Sequence, residues 1–143
     1  IINISSLSAL APLPGWDLYA ASKQAVETLS EAMLPTLNAW NIQISVIEPG
    51  PLKDPTNQTI TAQFPKVTNP YSDILAASKK WLEAKTGPPQ PVEEVAVLIH
   101  KIIETEKPQF RYQTNTAGKQ LAEETLLFPT QSVLDLNNYI STQ

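Results

Sequence analysis

The sequence contains no cysteine and a single histidine, His100, and these two absences remove much of active-site chemistry at once. Without thiols there are no disulfides, no thiolate nucleophile and no cysteine-ligated metal. One imidazole makes a histidine-based metal site or a Ser-His-Asp triad hard to build, so no metal is expected. Glycine is scarce too: the 4 residues stand at 15, 50, 87 and 118. Glycines so scattered cannot form a G-x-x-x-G-x-G loop, which cradles phosphate with bare backbone amides. No apolar run approaches the roughly 18 residues that a membrane span needs, and no basic stretch followed by an apolar one opens the chain. A formal net charge of -4 argues against a basic footprint for nucleic acid or an anionic membrane surface. The lack of cysteine is compatible with a reducing compartment, and a cytoplasmic location is expected.

What is present suits one globular domain: 143 residues, 42% hydrophobic and 17% charged. The first residue is Ile1 rather than methionine, and the opening run IINIS reads as a buried parallel strand. Such a strand needs neighbours on both sides, so further sequence is expected upstream. A Ser, Ala and Pro rich loop follows and ends at the turn-forming pair Pro14-Gly15. From about Asp17 to Asn38, Leu18, Ala21, Ala25, Leu29, Ala32, Met33 and Leu37 recur at helical spacing, with Pro35 predicting a kink or an early end. The run IQISVIEPG is a second strand, built on Ile42, Ile44, Val46 and Ile47 and stopped by Pro49-Gly50. Strand, long helix and strand make a βαβ crossover, the unit of a doubly wound parallel sheet.

Residues 51 to 72 read as a long loop of the kind that often serves as a lid. A helix is predicted from Ser72 to Lys85, closed by Gly87. Another opens at Pro91-Val92-Glu93-Glu94, with acids in its first turn and an apolar stripe of Val95, Leu98, Ile99 and Ile102. PQFRYQT is a short third strand, and the tail from Lys119 offers one or two weak helices. His100 reads as an incidental helix residue, and the three tryptophans as packing residues, with Trp16 placed to border a crevice near Tyr19.

The chemistry lies in Tyr19-Ala20-Ala21-Ser22-Lys23. A tyrosine and a lysine four apart share one helix face. A free phenol has a pKa of about 10, and an adjacent ammonium favours its phenolate, which suits a group that must pass a proton near neutral pH. The bland reading is a solvated surface pair. Ser6, after the first strand, and Pro49-Gly50, after the second, fall on the same carboxyl edge of the sheet, where ligands bind in open α/β folds. A serine hydrolase is disfavoured, because there is no G-x-S-x-G elbow and His100 has no evident partner.

NISS, then YAASK, then a strand ending IEPGPL resembles the short-chain dehydrogenase/reductase family from its fifth strand onward, over residues 1 to about 56. The tail PQFRYQTNTAGKQLAEETLLFPTQSVLD is similar to those of retinol dehydrogenases and 17β-hydroxysteroid dehydrogenases. The resemblance implies the C-terminal part of a doubly wound, Rossmann-like parallel sheet with the N-terminal half missing. It divides the chain into a catalytic core at 1–56, a substrate lid at 51–87 and a C-terminal helix, strand and tail at 88–143. Tyr19 takes the role of acid and base, Lys23 that of its activator and ribose partner, and Ser6, ahead of Ser5, that of the group that steadies the substrate oxygen. Tyr19, Lys23, Pro49, Gly50 and Leu52 would contact the cofactor. Asp54 stands near the position where the family commonly has a threonine, with Thr56 two residues on. Phe64 and Tyr71 fall in the lid.

The function implied is NAD(P)-dependent interconversion of an alcohol and a carbonyl on a small apolar substrate, with NAD and NADP both open. A homo-oligomer is expected for the full-length enzyme. The 143-residue chain by itself is expected to be inactive, and the alternative is a catalytically silent remnant that serves as a folded or interaction module.

Overall fold

A computed structural model describes residues 1–53, 70–127 and 131–142. Its sheet has three parallel strands in the order β1-β2-β3: β1 is Ile2–Ile4, β2 is Ser45–Glu48 and β3 is Arg111–Gln113. Parallel neighbours require crossovers, and helices supply them. The helix α2, Asp17–Ala39, joins β1 to β2. Between β2 and β3 lie α3, Ser72–Thr86, and α4, Val92–Glu104. A short α1, Leu7–Leu10, follows β1, and α5, Thr116–Leu127, and α6, Gln131–Ser141, close the chain.

The central strand β2 is buried along its whole length, because helices cover both of its faces. Ile47 points to α4 and packs with Val95 and Ile102, and Ile2, Leu52, Leu98, Ile99 and Tyr112 pack around them. This is the apolar stripe expected of α4. Val46 and Glu48, one residue to either side, point to the opposite face, toward α2. Helices on both faces of a parallel sheet define a doubly wound α/β arrangement. A second core joins Ala11, Leu13, Trp81 and Leu121, with Leu82, Tyr139 and Ile140 against it, and ties the loop after α1 to α3, α5 and α6.

Strand β1 is parallel, as expected, and among the described residues it pairs with β2 alone, which leaves Ile4 42% exposed. Several expectations are corrected. The residues after β1 are not all loop, since Ser6 caps a short helix. Helix α2 does not end at Pro35 but runs on to Ala39. Its predicted stripe also faces outward, with Leu18 88% and Leu29 58% exposed. The face turned to the sheet carries Ala20, Lys23, Glu27 and Ser30, at alternating spacings of three and four. Ser30 holds β1 there by accepting a hydrogen bond from Asn3 Nδ2 at 2.8 Å. Ile42 lies outside β2 and is exposed.

Candidate active site

Helix α2 is aimed by a tight turn. Trp16 N donates to Leu13 O at 3.0 Å across Pro14-Gly15, and Gly15 has φ +81°. Proline pre-sets the first central position of such a turn, and the left-handed second position suits glycine. A Cβ on Gly15 would also run into Leu75 Cδ2 of α3. The turn sets Trp16 edge-on to Tyr19, with ring centres 5.5 Å apart and planes at 79°. Tyr19 is 41% exposed.

Lys23 folds across from the helix to the sheet. Its Nζ donates to Ile4 O at 2.9 Å and lies 5.8 Å from the centre of the Tyr19 ring. The pair is therefore not a free surface pair: the end of β1 anchors the ammonium. Ser5 tightens the same junction, as its Oγ donates to Lys23 O at 3.4 Å.

Beyond the strands the chain stays joined. Ser5 N donates to Ile47 O at 2.7 Å and Leu7 N to Pro49 O at 3.1 Å, which brackets Ser6 between two bonds to the segment that carries Pro49. Ser6 Oγ accepts from Ser8 N at 3.1 Å and so caps α1. That bond uses a lone pair and leaves the hydroxyl hydrogen available. A Cβ at Gly50 would meet Leu7 Cδ1 at 3.4 Å and Asn115 Nδ2 at 3.6 Å, ordinary contacts, so packing alone does not require glycine there. Leu52 forms a parallel bridge with Gln90 and packs on the Ile47 core. Ser6, Tyr19, Lys23, Pro49 and Gly50 thus gather at the carboxyl ends of β1 and β2, with Leu52 next along the chain. Asp54, Thr56 and Phe64 lie outside the described residues. Tyr71 stands just before α3 and is exposed.

A polar cluster lies beneath this edge that the sequence reading missed. Arg111 of β3 reaches Glu27 Oε2 at 3.3 Å, Glu48 Oε1 at 3.2 Å and the exposed Glu31 Oε1 at 3.6 Å. Gln113 Nε2 donates to Glu48 Oε2 at 2.6 Å. Burial pushes the Glu48 carboxyl up from 4.5 to about 7; the nearby charge of Glu27 adds to this, while the Gln113 bond and Arg111 oppose it. The signal was available: Glu48 interrupts an apolar strand, and a charge in a buried strand needs a partner.

Comparison with known proteins agrees with this fold. The short chain dehydrogenase family model matches residues 1–64. Retinol dehydrogenase 8 of Bos taurus is 33% identical over 126 residues, which cover 81% of this chain and 39% of that protein. A short-chain dehydrogenase structure from Streptomyces avermitilis superposes with a TM-score of 0.69 at 22% identity, over 96% of this chain and 50% of that one. Another, from Burkholderia cenocepacia and solved with NADP, gives 0.66 at 17% identity, over 95% and 46%. The chain belongs to the short-chain dehydrogenase family, and its fold is part of that doubly wound sheet. It spans about 39% of the length of the bovine and human retinol dehydrogenase 8 chains that it matches. No helix among the described residues is long and apolar enough to cross a membrane.

Proposed function

We propose that the protein interconverts an alcohol and a carbonyl with a nicotinamide cofactor, and that Tyr19 is its acid and base. The anchoring of Lys23 on Ile4 O, beside Tyr19, is the observation that carries this reading. An ammonium has three donors, and Ile4 takes one. The others suit a ribose hydroxyl and the phenol oxygen. A positive charge fixed there favours negative charge on the phenol as it gives up its proton, without reorganisation during the reaction. Ser6 keeps a hydroxyl hydrogen for the substrate oxygen, and Tyr19 exchanges the proton with that oxygen.

The residues present fit a nicotinamide ribose and ring: a lysine ammonium with donors to spare, and a glycine whose missing side chain the fold does not require. Pro49 and Gly50 would lie against the ring and Leu52 close behind it. When bound, the cofactor supplies or accepts the hydride. The four glycines of this chain form no phosphate loop, so the 143-residue chain alone is expected to hold NADH or NADPH only weakly. NAD and NADP are both open.

The substrate is assigned as a small apolar alcohol or carbonyl, in line with the retinol named in the bovine relative and with the exposed Trp16–Tyr19 pair. The region 51–87 is assigned as its lid. The outward stripe of α2 supports a homo-oligomer of the whole enzyme. Tyr19→Phe tests the reading: turnover should be lost, with cofactor affinity nearly intact. Normal turnover in that variant would remove Tyr19 from the mechanism.

A further inference from the structure

We infer that Glu27 and Glu48 share a single proton, and that this pair, gripped by Arg111 and Gln113, positions the helix bearing Tyr19 and Lys23 against the strand that delivers Pro49 and Gly50. Both glutamates are buried, at 1% and 0% exposure. One oxygen of each is occupied: Arg111 Nε donates to Glu27 Oε2, and Gln113 Nε2 donates to Glu48 Oε2. The other oxygen of each, Oε1, is buried and accepts no hydrogen bond from the described residues, although Arg111 Nε lies 3.2 Å from that of Glu48. Two carboxylates have no hydrogen to place between them. Arg111 Nε, 3.3 Å from Glu27 Oε2 and 3.2 Å from Glu48 Oε1, holds the two carboxyl groups side by side, and a carboxylic acid beside a carboxylate has a hydrogen to place between them.

Charge balance leads to the same assignment. The cluster contains two buried carboxyl groups and one guanidinium. The third acid, Glu31, is 62% exposed, and solvent supports its charge. One proton makes the buried trio neutral; without it, an uncompensated carboxylate is buried. The charged groups that face Glu48 are Glu27 from α2 and Arg111 from β3. The α4 side of the sheet presents the apolar Val95 and Ile102 to Ile47.

The placement gives the pair its consequence. Glu27 stands one helical turn beyond Lys23, and Glu48 is the residue before Pro49. The shared proton therefore ties together the two elements that carry the proposed site. Its removal as pH rises sets two carboxylates against each other at that seam and loosens the grip that holds Lys23 on Ile4 O. Glu27 and Glu48 are positioning residues, and this kinetic consequence rests on the proposed function, whereas the shared proton does not.

The test is a pH titration by NMR of the protein with 13C-labelled glutamate side-chain carboxyls. One carboxyl should titrate near neutrality. Its signal should be absent in Glu48→Gln, and its midpoint should move upward in Gln113→Leu, which removes a donor to the ionised form. All glutamates titrating in the ordinary range, about 4 to 5, would overturn the shared proton even if Glu48→Gln failed to fold. In the full enzyme, activity should fall as pH rises through the same midpoint, and Glu48→Gln, which stays neutral, should lose that limb while Glu48→Ala should not regain wild-type activity. A neutral titration with an unchanged pH profile in Glu48→Gln would overturn the positioning role and leave the shared proton standing.

Discussion

Replacing Arg111 by methionine sets a buried and an exposed ion pair against each other on a single guanidinium. Arg111 is 25% exposed and meets Glu27 and Glu48, at 1% and 0%, as well as Glu31, at 62%. Removing the cation strands two carboxyl groups in the interior, and breaking such a buried pair costs about 3–5 kcal/mol. Glu31→Gln removes a single exposed contact, worth about 0–1 kcal/mol. With a urea slope of about 2 kcal/mol per M, Arg111→Met should lower the unfolding midpoint by about 2 M and Glu31→Gln by less than about 0.5 M. The assay is urea unfolding at pH 7, followed by tryptophan fluorescence. Similar midpoints for the two variants would refute the reasoning, since they would mean that solvent already screens Glu27 and Glu48.

Two further outcomes are expected. The Glu48 carboxyl is raised from 4.5 to about 7, so the folded state holds a proton that the unfolded state releases. Its stabilising contribution is complete below pH 4.5 and is lost as pH rises to about 7, a loss of about 3 kcal/mol that Glu48→Gln should abolish when unfolding is compared at pH 5 and pH 8. Gly50→Ala should leave the melting temperature within a few degrees, because the fold offers ordinary contacts at 3.4 Å and beyond. The same variant should weaken cofactor binding in the full enzyme about tenfold or more, measured by fluorescence titration, if the bare backbone lies against the nicotinamide ring.

The fold was legible wherever local chemistry marks an element. Gly87 and the prolines around it end α3, Glu93 and Glu94 open α4 beside its apolar stripe, and the Pro14-Gly15 turn sets the start of α2. The candidate site was legible for a similar reason: Ser6, Tyr19, Lys23, Pro49 and Gly50 stand at strand ends or at the start of a helix, where the fold class itself gathers ligand groups. Helical period alone did not tell which side of α2 faces the sheet. An apolar stripe fits an inward face and an outward docking face equally, and here the inward face carries Lys23, Glu27 and Ser30. Their partners lie far along the chain, Arg111 being 84 residues from Glu27 and Asn3 being 27 from Ser30, so no local pattern reveals them. Helix α1 is too short to show a period.

The most direct test of the account is transfer of deuterium from 4-deuterated NADPH and NADH to an apolar ketone, measured by mass spectrometry on the full-length enzyme and on its Tyr19→Phe variant. The wild type should place one deuterium on the carbinol carbon, with a loss of roughly 100-fold or more in Tyr19→Phe at unchanged cofactor affinity. Transfer at equal rates in both proteins, or none with the wild type across a range of apolar ketones and both cofactors, would contradict it.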